Sequence, residues 1–283
     1  MEHIYDLIII GGGPGGYTAA LYGARAGLDT LVIERLSAGG QMALTAQIDN
    51  YPGFHEGVDG FTLGQNMQAG AERFGAKSEM ADVLRVDLRP EIKVVETTEG
   101  TFYARTVAIS TGAAHRELGL PNEQALVGRG VNYCAACDGM FYRAKTVVVV
   151  GGGNTAVEDA LYLANLCERV HIVHRRDAFR AGRVLTDALQ KRENITVHFD
   201  AVPVEVESDA ATGMVSGLRI RSVKTNEEET ISAQGVFVAV GLVPDNGLFS
   251  GQITLDPAGY IAAGEDTHTN IPGVYAAGDT RAK

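Results

Sequence analysis

The sequence predicts an α/β fold: two doubly wound, Rossmann-like dinucleotide-binding domains, each carrying a small antiparallel β excursion. Two observations predict it. An apolar strand runs into a glycine turn and then a small-residue helix near the N-terminus, and the same succession restarts at residue 146. Both strands are continuous β-branched or aliphatic runs without alternation, the pattern of parallel strands buried on both faces. The 283 residues are enough for two domains of ordinary size.

Taken in order, Tyr5–Ile10 is the first strand, Gly11–Gly16 the turn, Tyr17–Ala26 an Ala-rich helix and Thr30–Glu34 the second strand. Val94–Thr98 and Thr101–Ile109, separated by Glu99-Gly100, read as a hairpin inside the first domain. The second unit starts with Thr146–Val150, turns at Gly151-Gly152-Gly153, and continues with a helix from Thr155 to Leu166 and a strand at Val170–His174. Its own excursion is Gly217–Val223 with Glu229–Ile231, and the acidic run Glu227–Glu229 reads as a solvated turn. No low-complexity linker separates these segments.

Composition narrows the function classes. Glycine accounts for 35 residues, against about 20 expected at roughly 7% usage, and much of the excess lies in short runs beside strands. A net charge of −11 argues against a nucleic-acid groove or a polybasic membrane surface. No apolar run approaches the roughly 20 residues that span a bilayer. The N-terminus has no basic n-region, so its apolar stretch is expected to be a strand rather than a signal peptide. Three cysteines, two at C-x-x-C spacing, point to redox or metal chemistry in a reducing compartment, and a cytoplasmic location is expected.

The two glycine turns differ in the strand that comes after each. Gly11-x-Gly13-Pro14-x-Gly16 leaves room for a pyrophosphate at a helix N-terminus, where free N–H groups and the dipole favour anions. Its second strand ends in Glu34, whose carboxylate accepts from a ribose diol and repels a 2′-phosphate. Gly151-x-Gly153-Asn154-Thr155-Ala156 has the same shape, but its second strand ends in His174-Arg175-Arg176, with Arg180 close behind. Guanidiniums reverse the preference towards a 2′-phosphate, which identifies NADPH as the second dinucleotide. A tight βα turn without a ligand, or a basic helix start, is the plain alternative for each.

Cys134-Ala135-Ala136-Cys137-Asp138 places two thiols three apart, on one face of a helical turn and within disulfide reach. Zinc would need two further ligands at suitable spacing, and the sequence has no second C-x-x-C or H-x₃-H, so no metal is expected. Asp138 is a candidate acid/base for the thiol protons. Cys167, late in a helix, reads as a small core residue. NADPH gives up a hydride, whereas a dithiol exchanges electrons through sulfur. A flavin joins the two chemistries, so the first dinucleotide is expected to be FAD.

The ordered blocks GGGPGG (11–16), GGQ (39–41), NYPG (50–53), STGA (110–113), CAACDG (134–139), GGGN (151–154), HRRDAFRA (174–181) and GVYAAGD (273–279) resemble the bacterial low-molecular-weight thioredoxin reductases over the whole chain. The resemblance implies a discontinuous FAD domain, 1–114 with 245–283, interrupted by an NADPH domain at 115–244. It implies a homodimer, a thioredoxin-like protein partner, and domains that rotate so that nicotinamide and disulfide take turns at the flavin. By the same resemblance Gly40, Gln41, Asn50, Thr111, Gly112, Gly278 and Asp279 join the FAD site. Cys137 is then the sulfur that faces the flavin, Cys134 the one that attacks the partner, and Asp138 the proton donor. Two departures stand out. Ala136 replaces the family's usual threonine, and relatives continue for a few dozen residues past the position of Lys283, through a helix expected to open at Gly278-Asp279.

Three other readings share parts of this pattern. A flavin dithiol oxidase would keep the cysteine pair but have no use for the arginines. A ferredoxin–NADP reductase would lack the pair. A dinucleotide-binding redox sensor would not turn over with excess NADPH.

Overall fold

The computed structural model describes residues 2–45 and 47–282. The chain forms two compact units, residues 1–114 with 243–283 and residues 115–242, so the return crossing falls two residues before the expected 245.

In the first unit, Ile4–Ile10 lies centrally, parallel to Thr30–Glu34 on one side and Gly100–Ile109 on the other, and Lys77–Met80 extends the sheet beyond Thr30–Glu34. Its apolar run Leu7–Ile10 reflects two packed faces. Ile8 and Ile10 join one core with Leu31, Ile33 and Val107, while Ile9 joins the other with Tyr17, Ala20 and Ala24 of the helix. Each such side chain contributes about 1.5–3 kcal/mol of burial. Gly100–Ile109 changes partner along its length. Its first half pairs antiparallel with Lys93–Thr97, and Val107–Ile109 pairs parallel with Val274–Ala276. The first helix runs Pro14–Arg25, three residues earlier than expected at its start. Pro14 fits there because an N–H is not needed in the first turn and its φ is already helical.

The second unit repeats the plan. Its parallel sheet has the order Ile195–His198, Arg169–Val173, Thr146–Gly151, Gly235–Ala239, Val131–Asn132. Val148 and Val150 enter one core, Val147 and Val149 the other. The helix after the turn is Asn154–Leu163, shorter than expected because Asn165 and Leu166 bond back over three residues instead of four. The antiparallel excursion has three strands, Ala201–Ser208, Val215–Ser222 and Glu228–Ser232. This corrects the reading of the acidic run. Glu228 and Glu229 are strand residues, Glu228 facing Arg219 at 3.7 Å and Glu229 bonding His198 at 3.2 Å. The turn lies just before them, where Asn226 takes a φ of +61°.

Candidate active site

In the first glycine turn, Gly11 has φ +104°, and a Cβ there would meet the Ser110 carbonyl oxygen at 2.3 Å. A Cβ on Gly16 would stand 1.9 Å from the Gly11 carbonyl oxygen, so only glycine lets the helix leave so close to the strand. A Cβ on Gly13, by contrast, meets nothing within 4 Å, leaving the backbone at the helix N-terminus open to an approaching group. Glu34 is anchored to this turn. Its Oε2 accepts the Gly12 N–H at 2.6 Å and its Oε1 the Leu36 N–H at 3.1 Å. An ionised carboxylate has about four acceptor sites, so two bonds fix it and capacity remains for a ribose diol.

Three more segments close on the same turn. The Gly39 N–H donates to the Gly12 carbonyl at 2.8 Å, and a Cβ on Gly40 would lie 3.3 Å from the Gly13 Cα. A Cβ on Gly15 would lie 3.3 Å from the Gly278 Cα and 3.1 Å from the Ser110 Oγ. The Thr111 hydroxyl bonds Asn246 Oδ1 at 3.2 Å and Thr280 Oγ1 at 3.0 Å, and the Gly112 carbonyl accepts the Asp245 N–H at 3.3 Å. Asp279 is exposed in the turn between Gly278 and Thr280. The expected helix does not open there. Thr280 is buried and hydrogen-bonded to Asn246, and Arg281 pairs with Ile261 in a parallel bridge. Gln41 is exposed on the short 3₁₀ turn Gly40–Leu44. Asn50 lies in the exposed loop Asp49–His55, which lines an open depression of about 360 Å³, and no hydrogen bond among the described residues ties it to the glycine turn.

The second turn is built alike. A Cβ on Gly151 would meet the Ala239 carbonyl oxygen at 2.3 Å, whereas one on Gly153 meets nothing within 4 Å. Ala156 is fully buried against the turn, so a small third residue suffices. The basic loop is fastened to it at two points. The Arg180 N–H donates to the Gly152 carbonyl at 2.8 Å, and Asn154 Oδ1 accepts the Gly182 N–H at 2.9 Å. Thr155, next to Asn154, is exposed in the first turn of the helix. Arg175, Arg176 and Arg180 are exposed, and none forms an ion pair with a carboxylate among the described residues. His174 has a different place from the arginines. It is 5% exposed, packs where a Gly152 Cβ would be, and bonds the Ala178 carbonyl through Nε2 at 3.1 Å. Burial, with the neighbouring arginines, lowers its pKa, so it supports the loop as a neutral ring.

Cys134 and Cys137 form a disulfide with a Cα–Cα distance of 5.3 Å. Cys134 caps the one-turn helix Ala135–Asp138, and its Sγ accepts the Cys137 N–H at 3.2 Å. Asp138 is half-buried, and desolvation raises its carboxyl above the usual range, so it keeps its proton to higher pH. Cys167 is buried apart from the pair, and burial pushes its thiol up to about 11, which leaves it unreactive. No group of three or more His, Cys, Asp or Glu residues suited to a metal ion exists among the described residues.

The sequence reading missed the polar groups that hold these parts in place. Asn246 and Thr280 are 1% and 0% exposed, and Glu123 is 1% exposed beside Tyr133. Their partners lie far along the chain or in turns without motif character. No local sequence signal marks them; their burial in the structure is what points to a task.

The family model for pyridine nucleotide-disulphide oxidoreductases matches residues 5–283. A thioredoxin reductase of Streptomyces coelicolor is 46% identical over 282 residues, 99% of this chain and 87% of that protein. A bifunctional thioredoxin reductase/thioredoxin of Mycobacterium leprae is 44% identical over 98% of this chain and 60% of its own length. The crystal structure of a thioredoxin reductase from Streptococcus pyogenes superposes with a TM-score of 0.87 at 38% identity, covering 100% of this chain and 92% of that one.

Proposed function

The chain belongs to the pyridine nucleotide-disulphide oxidoreductase family, and from that premise we infer an NADPH-dependent thioredoxin reductase that uses FAD. The observation that carries this is the coexistence of two open glycine turns with opposite second-strand ends, Glu34 and Arg175-Arg176, and a C-x-x-C disulfide. Bound NADPH and FAD supply the hydride and its conversion to electrons that sulfur can accept.

The protein's residues do the rest. The first turn holds the FAD pyrophosphate at Gly11–Gly16 and the ribose at Glu34, with Gly40, Gln41, Asn50, Thr111, Gly112 and Asp279 as further lining. The second holds the NADPH pyrophosphate at Gly151–Ala156 and the 2′-phosphate on Arg175, Arg176 and Arg180, which offer unpaired guanidiniums. Once the disulfide is reduced, the Cys134 thiolate attacks the partner's disulfide, forming a mixed disulfide and releasing one partner thiolate. Asp138 supplies the proton that this thiolate takes up. Cys137 then displaces the second partner thiol, restoring the Cys134–Cys137 disulfide. Oxidised thioredoxin, NADPH and one proton give reduced thioredoxin and NADP⁺.

Thioredoxin as the partner is supported by the name of the bifunctional Mycobacterium leprae protein. A homodimer is the assembly we propose, and the exposed Leu36, Leu44 and Phe61 are apolar surface available for it. No helix among the described residues is long and apolar enough to cross a membrane, and the reducing chemistry supports a cytoplasmic location. The test is anaerobic: NADPH added to the purified protein bleaches its yellow colour, and oxidised thioredoxin restores it. Bleaching that thioredoxin leaves unchanged would remove the proposed partner.

A further inference from the structure

Glu123 has no part in the chemistry above, yet it is one of the most completely buried charged groups in the second unit, at 1% exposure. Its carboxylate is fully occupied. Oε1 accepts the Leu118 N–H at 2.9 Å, and Oε2 accepts those of Gly119 at 2.9 Å and Leu120 at 3.3 Å. The fourth donor is the Tyr133 hydroxyl, at 3.0 Å from Oε1. Three backbone donors from one turn lock the carboxylate, so the phenol bonds to a fixed point rather than to a mobile surface acid.

Tyr133 is the residue immediately before Cys134. Its ring is held as well, stacked on His115 with centroids 5.1 Å apart. On the other side of the chain, Asn132 Nδ2 bonds the Tyr142 hydroxyl at 2.9 Å, and Tyr142 belongs to the 3₁₀ turn that follows the C-x-x-C helix. The two residues leading into Cys134 therefore point to opposite sides and are each tied down. The helix that carries the cysteines is a single turn of four residues, too short to persist on its own. Its orientation has to come from such anchors.

We propose that Glu123 is a positioning residue for the redox pair: through the Tyr133 hydroxyl it fixes the backbone that presents Cys134 to the partner's disulfide. This rests on the thioredoxin reductase reading. The in-line approach of a thiolate to a disulfide is demanding in geometry, and a loosened Cys134 loses rate in that step alone.

The experiment uses the full FAD-loaded protein with Tyr133→Phe, Glu123→Gln and the double variant. Tyr133→Phe removes one oxygen and keeps the ring, so it remains informative even if Glu123→Gln fails to fold. We expect kcat for thioredoxin reduction to fall about tenfold in Tyr133→Phe, while the NADPH-driven bleaching rate and the thioredoxin KM stay within twofold of the unaltered protein. Glu123→Gln replaces the charged acceptor with a weaker neutral amide, so both substitutions act on the same contact and the double variant should be no slower than the slower single. Unchanged kcat in Tyr133→Phe overturns the proposal, as does an equal slowing of bleaching, which would indicate general loosening. A double variant whose losses multiply overturns it too. If the unaltered protein bleaches but never reduces thioredoxin, the parent reading fails instead.

Discussion

Thr111 and Thr280 stand 169 positions apart in the chain, yet their hydroxyls meet at 3.0 Å, with Asn246 Oδ1 bonded to both. The bond joins the end of the long central strand to the turn beside Gly278, which rests on the first glycine turn. The site around that turn is therefore assembled from remote pieces by a buried polar knot.

Asn246 is the centre of that knot, since its Nδ2 also donates to the Gly259 and Thr280 carbonyls at 3.0 and 2.8 Å. Asn246→Ala takes this partner from the Gly259 carbonyl and from the two hydroxyls, while the Thr280 carbonyl keeps the Ile261 N–H, and should cost about 1–3 kcal/mol, the range for one buried polar group left unpaired. FAD should escape at lower temperature, because the Gly278 turn loses its tether. Flavin fluorescence monitored during heating measures both effects. An unaltered release temperature would mean that the knot does not support the site.

In the function proposed above, the arginines set the choice of dinucleotide. Arg175→Ala should remove one charge-assisted phosphate contact, worth about 1.5–3 kcal/mol, and raise the NADPH KM roughly tenfold at this exposed position. The NADH KM should stay within twofold, since NADH has no 2′-phosphate. Steady-state kinetics with both cofactors decides the matter, and parallel rises would show that Arg175 shapes the loop rather than reading the phosphate.

The three cysteines should separate cleanly. Cys134→Ser keeps NADPH-driven bleaching but abolishes thioredoxin turnover, and Cys137→Ser abolishes turnover by interrupting electron transfer to sulfur. Cys167→Ala should retain turnover, because that thiol is buried and its pKa, pushed up to about 11, keeps it protonated. Stopped-flow absorbance with each variant tests the assignment. Loss of turnover in Cys167→Ala would overturn it.

Asp159, on the helix after the second turn, gives a pH signature. Burial first, and then Glu158, pushes its carboxyl up to about 6 from the ordinary 3.8. A group whose folded pKa is raised binds more protons folded than unfolded, so its contribution is present below about pH 4 and is lost as pH rises to 6. Partial exposure reduces the effect to about 1–2 kcal/mol. Asp159→Asn should therefore melt higher at pH 7.5 and match the unaltered protein at pH 4. Denaturant midpoints at the two values check the sign, and a gain confined to pH 4 would contradict it.

Much of the fold was legible because its strongest terms are local. Ile8-Ile9-Ile10 and Val147–Val150 are apolar at every position, a pattern that only a sheet covered on both faces satisfies, and the structure puts alternate residues into different cores. Gly11 and Gly16 were readable because a side chain at either would collide with backbone. The strand Ala201–Ser208 was not legible, since its sequence AVPVEVES carries a proline and charges, and its pairing comes entirely from Val215–Ser222. His174 was grouped with its arginine neighbours by sequence position, but alternation along the chain turns it inward while Arg175 and Arg176 face solvent. Asn246, Thr280 and Glu123 escaped for a shared reason: their tasks are defined by distant or motif-free backbone that no local pattern announces.

The pairing of Val274–Ala276 with Val107–Ile109 sets the order of events during synthesis. A ribosome delivers the first unit's opening 114 residues, then all of the second, and only afterwards the strand that completes the first sheet. The inserted unit has every strand of its own sheet once residue 242 has emerged, whereas the unit begun earliest waits for the strand at Val274–Ala276. With the dinucleotide sites proposed above, FAD is then the later of the two ligands to find a finished pocket, and a nascent chain arrested before residue 274 is expected to bind NADP⁺ while releasing flavin.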